Sequence, residues 1–176
     1  MKINIRQEQP TDYEAVFNLI EKAFANEQSS DHREHFLVER LRKSEDFVPE
    51  LSLVAEVEGD VVGHILLTKI LVKNEQQPSE SLALAPVAVH PKFQRNGIGG
   101  ALIRQAHERA KEMSFRSIIL LGHEDYYPRF GYKRADEFGI KLPFDVPKEN
   151  CLAIELTKDG LDGVAGTVEY PKEFNE

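Results

Sequence analysis

Three glycines stand close together in Gln94-Arg95-Asn96-Gly97-Ile98-Gly99-Gly100, directly ahead of a segment whose apolar residues recur at helical spacing. A helix that starts there presents backbone N–H groups with no partner inside the helix, and the positive end of its dipole, to an anion such as a phosphate. A side chain at Gly97 or Gly99 would hold phosphate oxygens away from those groups, while Arg95 adds a mobile positive charge. The loop therefore reads as a pyrophosphate cradle. On glycine spacing alone a second reading stands beside it, in which Gly97, Gly99 and Gly100 only let a helix pack closely on a sheet. Two nucleotide-binding patterns are excluded. The Rossmann fingerprint needs three spaced glycines after a first strand and the P-loop needs Gly-Lys-Ser/Thr; this loop has neither, and it lies in mid-chain after about four strands.

Other residues capable of chemistry read as structural. His32 and His35 lie one helical turn apart with Glu39 nearby, but no third ligand follows at zinc spacing, so they read as a solvated helix face and no metal is expected. Cys151, beside Leu152, reads as a small buried hydrophobe. As the single cysteine it makes no internal disulfide, which agrees with a reducing compartment. The net charge of -8, from 22 Lys and Arg against 30 Asp and Glu, repels nucleic acid and anionic membrane, so an anionic ligand needs a local site. No run of about 18 apolar residues exists, and the first residues alternate polar and apolar with no basic-then-apolar leader. A cytoplasmic protein is expected, without membrane or nucleic-acid partners.

The elements that must position the loop can be read from period. The 176 residues, 41% apolar and 30% charged, suit one compact α/β domain. Residues 2–6 alternate as a half-buried strand. Thr11 with Glu14 forms a capping-box pattern ahead of Tyr13, Val16, Phe17, Ile20 and Phe24; Asp31 with Glu34 repeats it ahead of a shorter helix. Leu51, Leu53, Ala55 and Val57 alternate into the turn Glu58-Gly59-Asp60, and residues 61–72 complete a hairpin. Residues 81–89 form another strand, 97–113 a helix, and 117–121 a strand. An aromatic stretch, 123–130, follows, with β-like segments near 140–142 and 152–156 and a surface turn over 159–166.

Gln94-Arg95-Asn96-Gly97-Ile98-Gly99, preceded by a strand leaving through Val89-His90-Pro91, resembles the Gln/Arg-x-x-Gly-x-Gly/Ala signature of the GCN5-related N-acetyltransferase family. The element order resembles that family over residues 2–135, with 136–176 as C-terminal strands and tail. The Pro-Val-Ala-Val strand and the Tyr-Tyr-Pro-Arg-Phe-Gly-Tyr segment look most like a bacterial subgroup of predicted acetyltransferases. The resemblance implies a single N-acetyltransferase domain over 1–176: an α/β fold with a mixed twisted sheet of six to seven strands flanked by helices. It implies acetyl-CoA as acyl donor and direct transfer to a primary amine in a ternary complex, the acceptor being a small molecule or a peptide, and it makes a homodimer an open possibility. A non-catalytic acyl-CoA sensor on this fold, or a transferase for another acyl group, stands as the alternative. Backbone groups of Val87, Ala88 and Val89 would pair with the pantetheine arm, and Gln94, Arg95, Asn96, Gly97, Ile98, Gly99 and Gly100 would hold the pyrophosphate. Pro86 would mark a bulge that splays the sheet, or would simply begin the strand.

Tyr127-Pro128-Arg129-Phe130-Gly131-Tyr132 matches the family's Tyr-x-x-x-Gly-aromatic motif, which makes Tyr127 the candidate general acid for the departing thiolate. The family's Asn-x-x-Ala lead-in is replaced by Leu121-Gly122-His123-Glu124-Asp125, so Tyr126 is the alternative acid. Residues 81–89 carry no carboxylate at the place where several relatives have one. Glu56, His64 and His123 are the candidate bases, acting directly or through water.

Overall fold

A computed structural model describes residues 1–175. One sheet carries β1 (Asn4–Gln7), β2 (Phe47–Val57), β3 (Asp60–Lys73), β4 (Ser79–Val89), β5 (Ser117–Leu121), β6 (Lys133–Arg134), β7 (Ile140–Lys141), β8 (Cys151–Glu155) and β9 (Gly166–Glu169). Its order is β1-β2-β3-β4-β5-β8-β6, with β9 added to the far end of β3 and β7 paired to β9. Seven strands on one path match the expected count. Of the additional pair, β7 lies in the β-like run at 140–142, while β9, Gly166–Glu169, begins at the end of what reads as a turn.

Helices α1 (Tyr13–Phe24), α2 (Glu34–Leu41) and α3 (Ile98–Glu112) pack on the sheet. Strand alternation decides which residues each helix covers. Leu51, Leu53 and Ala55 of β2, Ile65 and Leu67 of β3 and Leu82 and Leu84 of β4 face α3, whose Ile98, Leu102, Ile103, Ala106 and Ala110 bury one stripe against them. The opposite face is divided. Val54, Leu66 and Ala88 pack under Val16 and Ile20 of α1 and Val38 and Leu41 of α2. Ile70, Val72, Ala83, Ile119 and Ala153 lie under residues of the returning C-terminal segment, among them Ile140, Leu142, Leu161 and Val168.

Local signals set the joints. The β2–β3 turn holds Glu58 at φ 52 and Gly59 at φ 84, the two left-handed residues of a two-residue hairpin turn. The helix starts differ in detail from the expected caps. Asp12 rather than Thr11 precedes α1, its carboxylate accepting from the Gln9 N–H at 2.7 Å, because Pro10 first forms a 3-10 turn. Asp31 accepts from the Arg33 N–H at 2.9 Å, two residues ahead of the N-cap position of α2.

Candidate active site

The site begins where β4 and β5 part. They run parallel and pair only at Leu82↔Ile118 and Ala83↔Ile119. Beyond that point β5 stays with β8 as far as Leu121↔Cys151, while β4 stays with β3 through Ile65↔Val87, His64↔Ala88 and Gly63↔Val89. The cause lies in β4. Between Leu67↔Leu84 and Ile65↔Val87 the register slips by one residue, so Ala85 and Pro86 together oppose Leu66. Pro86 thus sits at a bulge rather than at the strand start, where its missing N–H removes no ladder bond and the bulge bends the strand away from its neighbour. Among the described residues, the edge of residues 87–89 that faces the gap has no strand partner.

The glycine loop closes the upper end of the gap. Gly97 stands at φ 80 immediately before α3, and Arg95 at φ 66. The side chains of this loop shape it: Gln94 Nε2 donates to the Val89 carbonyl at 3.1 Å, and Asn96 Nδ2 donates to the carbonyls of Phe93 and Gln94, each at 3.2 Å. Among the described residues, the backbone N–H groups of residues 95–100 donate to no carbonyl or side chain; the first amide of the helix to do so is Ala101, to the Gly97 carbonyl at 3.0 Å. Nothing lies within 4 Å of where a Gly97 side chain would begin. Unpaired donors at an open helix start are what an anion requires.

The aromatic segment forms the other wall. Its lead-in departs from the family's, and the local structure follows: a single 3-10 turn, Tyr127–Phe130, with the His123 carbonyl accepting from the N–H groups of Tyr126 at 3.2 Å and Tyr127 at 3.4 Å. The two tyrosines separate. The Tyr126 hydroxyl leans toward the loop, 3.5 Å from where a Gly99 side chain would begin, and its ring carries the Arg129 guanidinium at 4.6 Å. Tyr127 instead turns in against the end of β5, its ring over Gly122 and edge-on to Tyr126 and Tyr132 at 5.1 and 5.6 Å. Only 8% exposed, Tyr127 has its phenol pushed up to about 12 by burial and the neighbouring Tyr126, so it is a neutral proton donor at pH 7.

The three candidate bases are not brought together. Glu56 lies on β2, two strand spacings or about 10 Å from β4. Its carboxylate accepts from Arg6 Nε at 2.6 Å, and Arg6 also forks onto Asp12. His64 is fully buried under α1 and α2. Its surroundings were not foreseen: Arg42 forks onto Glu8 at 3.1 and 2.6 Å, Ser52 Oγ donates to Glu8 at 2.9 Å, and His64 Nε2 lies 3.1 Å from Ser52 Oγ. Ser52 has one proton and gives it to Glu8, so His64 Nε2 carries the hydrogen of that contact. Burial, with a smaller effect of Arg42, pulls the His64 imidazole down to about 4 against an opposing pull from Glu8, which leaves it neutral. His123 is the candidate at the gap: exposed, one residue past Gly122. Cys151 is buried, its thiol pushed up by burial and its Sγ donating to the Pro147 carbonyl at 3.8 Å. A polar cavity of about 590 Å³ lined by Lys43, Lys69, Glu80 and Tyr170 lies at the opposite end of β4. Among the described residues no helix is long and apolar enough to cross a membrane.

Comparison with known proteins agrees with this geometry. Residues 14–132 match the model of the acetyltransferase (GNAT) family. The N-acetyltransferase YjhQ of Escherichia coli, named as uncharacterized, is 40% identical over 119 residues, 67% of this chain and 66% of that one. YhbS of Escherichia coli, named likewise, is 28% identical over 172 residues, 97% of this chain and 98% of that one. The crystal structure of YhbS in complex with CoA superposes with a TM-score of 0.89 at 26% identity, covering 100% of this chain and 93% of that one. A GNAT family acetyltransferase from Brucella melitensis in complex with acetyl-CoA superposes with a TM-score of 0.81 at 30% identity, covering 98% of both chains. The family model spans well over half of the sequence, and the chain belongs to the acetyltransferase (GNAT) family.

Proposed function

We propose that this protein transfers an acetyl group from acetyl-CoA directly to a primary amine, with donor and acceptor bound together, and that residues 1–176 form a single N-acetyltransferase domain. The observation that carries the reading is the coincidence, at one opening and among the described residues, of an edge at residues 87–89 with no strand partner and N–H groups at residues 95–100 with no protein acceptor. An extended pantetheine arm fits the first and a pyrophosphate fits the second. Val87, Ala88 and Val89 would hold the arm, and Arg95, Asn96, Gly97, Ile98, Gly99 and Gly100 the pyrophosphate, with Gln94 acting through its bond to Val89.

The chemistry then follows from what the chain supplies. The amine nitrogen forms a bond to the thioester carbonyl carbon and the carbon–sulfur bond breaks. The departing thiolate takes the Tyr127 proton, and the phenol recovers one from water. A neutral, buried phenol suits this role, since its proton stays in place until the thiolate develops. The amine's surplus proton leaves through water toward exposed His123, because Glu56 is engaged by Arg6 and His64 is enclosed. Tyr126, leaning toward Gly99, is better placed for the phosphates than for the thiol.

Release of free CoA thiol from acetyl-CoA, measured across a panel of polyamines, amino acids and peptide N-termini with succinyl-CoA as a competing donor, tests the reading. Acceptor-dependent thiol release that is fastest with acetyl-CoA supports it. Faster turnover of succinyl-CoA would reassign the acyl group, and CoA binding without turnover in any pairing would leave a sensor rather than an enzyme.

A further inference from the structure

Gly122 does not have the left-handed backbone that usually explains a glycine; its φ lies outside the positive region. What a side chain there would meet is Tyr127. A Cβ built on Gly122 would stand 2.4 Å from Cε2 and 2.8 Å from Cδ2 of the Tyr127 ring, and 3.0 Å from Leu120 Cδ1. The ring has little freedom to swing away, since it is wedged edge-on between Tyr126 and Tyr132 with Phe130 beyond. Tyr132 is in turn held through its hydroxyl, 2.9 Å from His107 Nε2. Gly122 is itself fixed from the turn that leads into β8. Its N–H donates to the Asn150 carbonyl at 2.9 Å, and Asn150 Nδ2 donates back to the Gly122 carbonyl at 3.0 Å. This clasp carries the β5–β8 pairing one residue past Leu121↔Cys151.

The geometry points to Gly122 and Asn150 as a pair of positioning residues, which fix where the Tyr127 hydroxyl stands by giving its ring a flat, immobile floor at the end of β5. The inference rests on the reading of Tyr127 as the acid. It also accounts for the departure at the lead-in: in place of Asn-x-x-Ala, this chain holds its tyrosine with a glycine before the turn and an asparagine contributed from the 3-10 turn Lys148–Asn150 just ahead of β8.

The test is a double-mutant cycle in the full-length protein, reading kcat, KM for acetyl-CoA, the dissociation constant for CoA and the thermal midpoint. Tyr127→Phe is expected to lower kcat about 100-fold, within the range for one general acid. Gly122→Ala is expected to lower kcat about tenfold or more while CoA affinity stays near wild type, since the ring is displaced and the cradle is not, and the thermal midpoint falls by a few degrees because the added methyl overpacks the site. In Gly122→Ala/Tyr127→Phe the losses should not multiply, because a floor under a missing hydroxyl has nothing left to position. Gly122→Ala with full kcat beside an impaired Tyr127→Phe would overturn the inference and spare the acid, as would losses that multiply. Tyr127→Phe with full kcat would remove the acid and the inference together. If Gly122→Ala does not fold, Asn150→Ala, which creates space rather than filling it, stands in: a several-fold kcat loss that disappears in the Tyr127→Phe background supports the pair, and an undiminished loss there overturns it.

Discussion

The two faces of the central strands treat their polar groups in opposite ways. Under α1 and α2, Glu8, Arg42 and Ser52 are joined to one another and to the Nε2 of His64, while Tyr13 stacks over Arg42 at 4.0 Å. At the β4–β5 opening, among the described residues, the strand edge at residues 87–89 has no strand partner, its Val89 carbonyl taking only the Gln94 side chain, and the N–H groups of residues 95–100 have no protein partner. A buried charge that is not paired is costly, so Glu8 and Arg42 close on each other, and only the Nδ1 of His64 in this set is buried without a hydrogen-bond partner among the described residues. A solvent-facing donor is hydrated at little cost, so the second set can wait for a ligand. Titratable chemistry alone would have favoured His64 as a functional residue; its connections make it part of the frame. The groups offered to a ligand are instead the solvent-facing donors at the opening.

Mutation should separate the two sets, and the largest effect belongs to the closed one. Arg42→Met leaves the Glu8 carboxylate, whose side chain is 2% exposed, buried without its cation. Denaturant unfolding should show a loss of about 3–5 kcal/mol, with CoA affinity of the folded protein unchanged. At the opening the pattern reverses: Tyr127→Phe should cost about 100-fold in kcat, equivalent to roughly 3 kcal/mol of barrier, with the unfolding midpoint unmoved. A stability loss for Tyr127→Phe, or a turnover loss for Arg42→Met under conditions where it is folded, would blur the distinction.

Acid should act through the closed set as well. The folded-state pKa of His64, about 4, lies below the ordinary 6.5. Between those values the unfolded chain binds the proton and the folded chain does not, so the protein is most stable above about pH 6.5 and loses stability as pH falls toward 4. The gap corresponds to about 3 kcal/mol at full extent. His107, drawn down to about 4 by burial and by Arg104, works in the same direction. Stability measured from pH 7 to 4.5 should therefore fall less steeply in His64→Gln than in the wild type; an equal slope would mean that the imidazole is not the group being charged. The smallest effect belongs to the loop. Gly99→Val starts its side chain at ordinary contact distance from Tyr126 and Val89, so folding should be little affected. Its branches would screen the neighbouring N–H groups, and CoA should bind about tenfold more weakly, the equivalent of one hydrogen bond to a charged group.

How much could be read beforehand follows the same division between local and distant. The loop was legible because glycine spacing, the strand before it and the apolar stripe of α3 are consecutive in sequence. The β4 bulge was half legible: Pro86 marked it, but the slipped pairing with Leu66 is a property of two strands. The Glu8 network was not visible, since its members are joined across 34 and 44 residues and look individually like a solvated acid, an arginine and a serine. Nor was the floor under Tyr127, because Asn150 meets Gly122 across 28 residues. Strand β6, of two residues, and β9 carry too few residues to display a period, and only their partners make them strands, whereas β7 lies in the β-like run at 140–142.

Thermal unfolding in the presence of CoA, acetyl-CoA, ATP or NAD tests the central claim most directly, each ligand being supplied at about a hundred times a micromolar dissociation constant. The account predicts stabilisation by roughly 2.7 kcal/mol with the two CoA species and none with NAD or ATP, because the unpaired strand edge selects the pantetheine arm that only CoA carries. No shift with CoA, or an equal shift with ATP, would contradict it and reduce the loop to a packing turn or a general phosphate site.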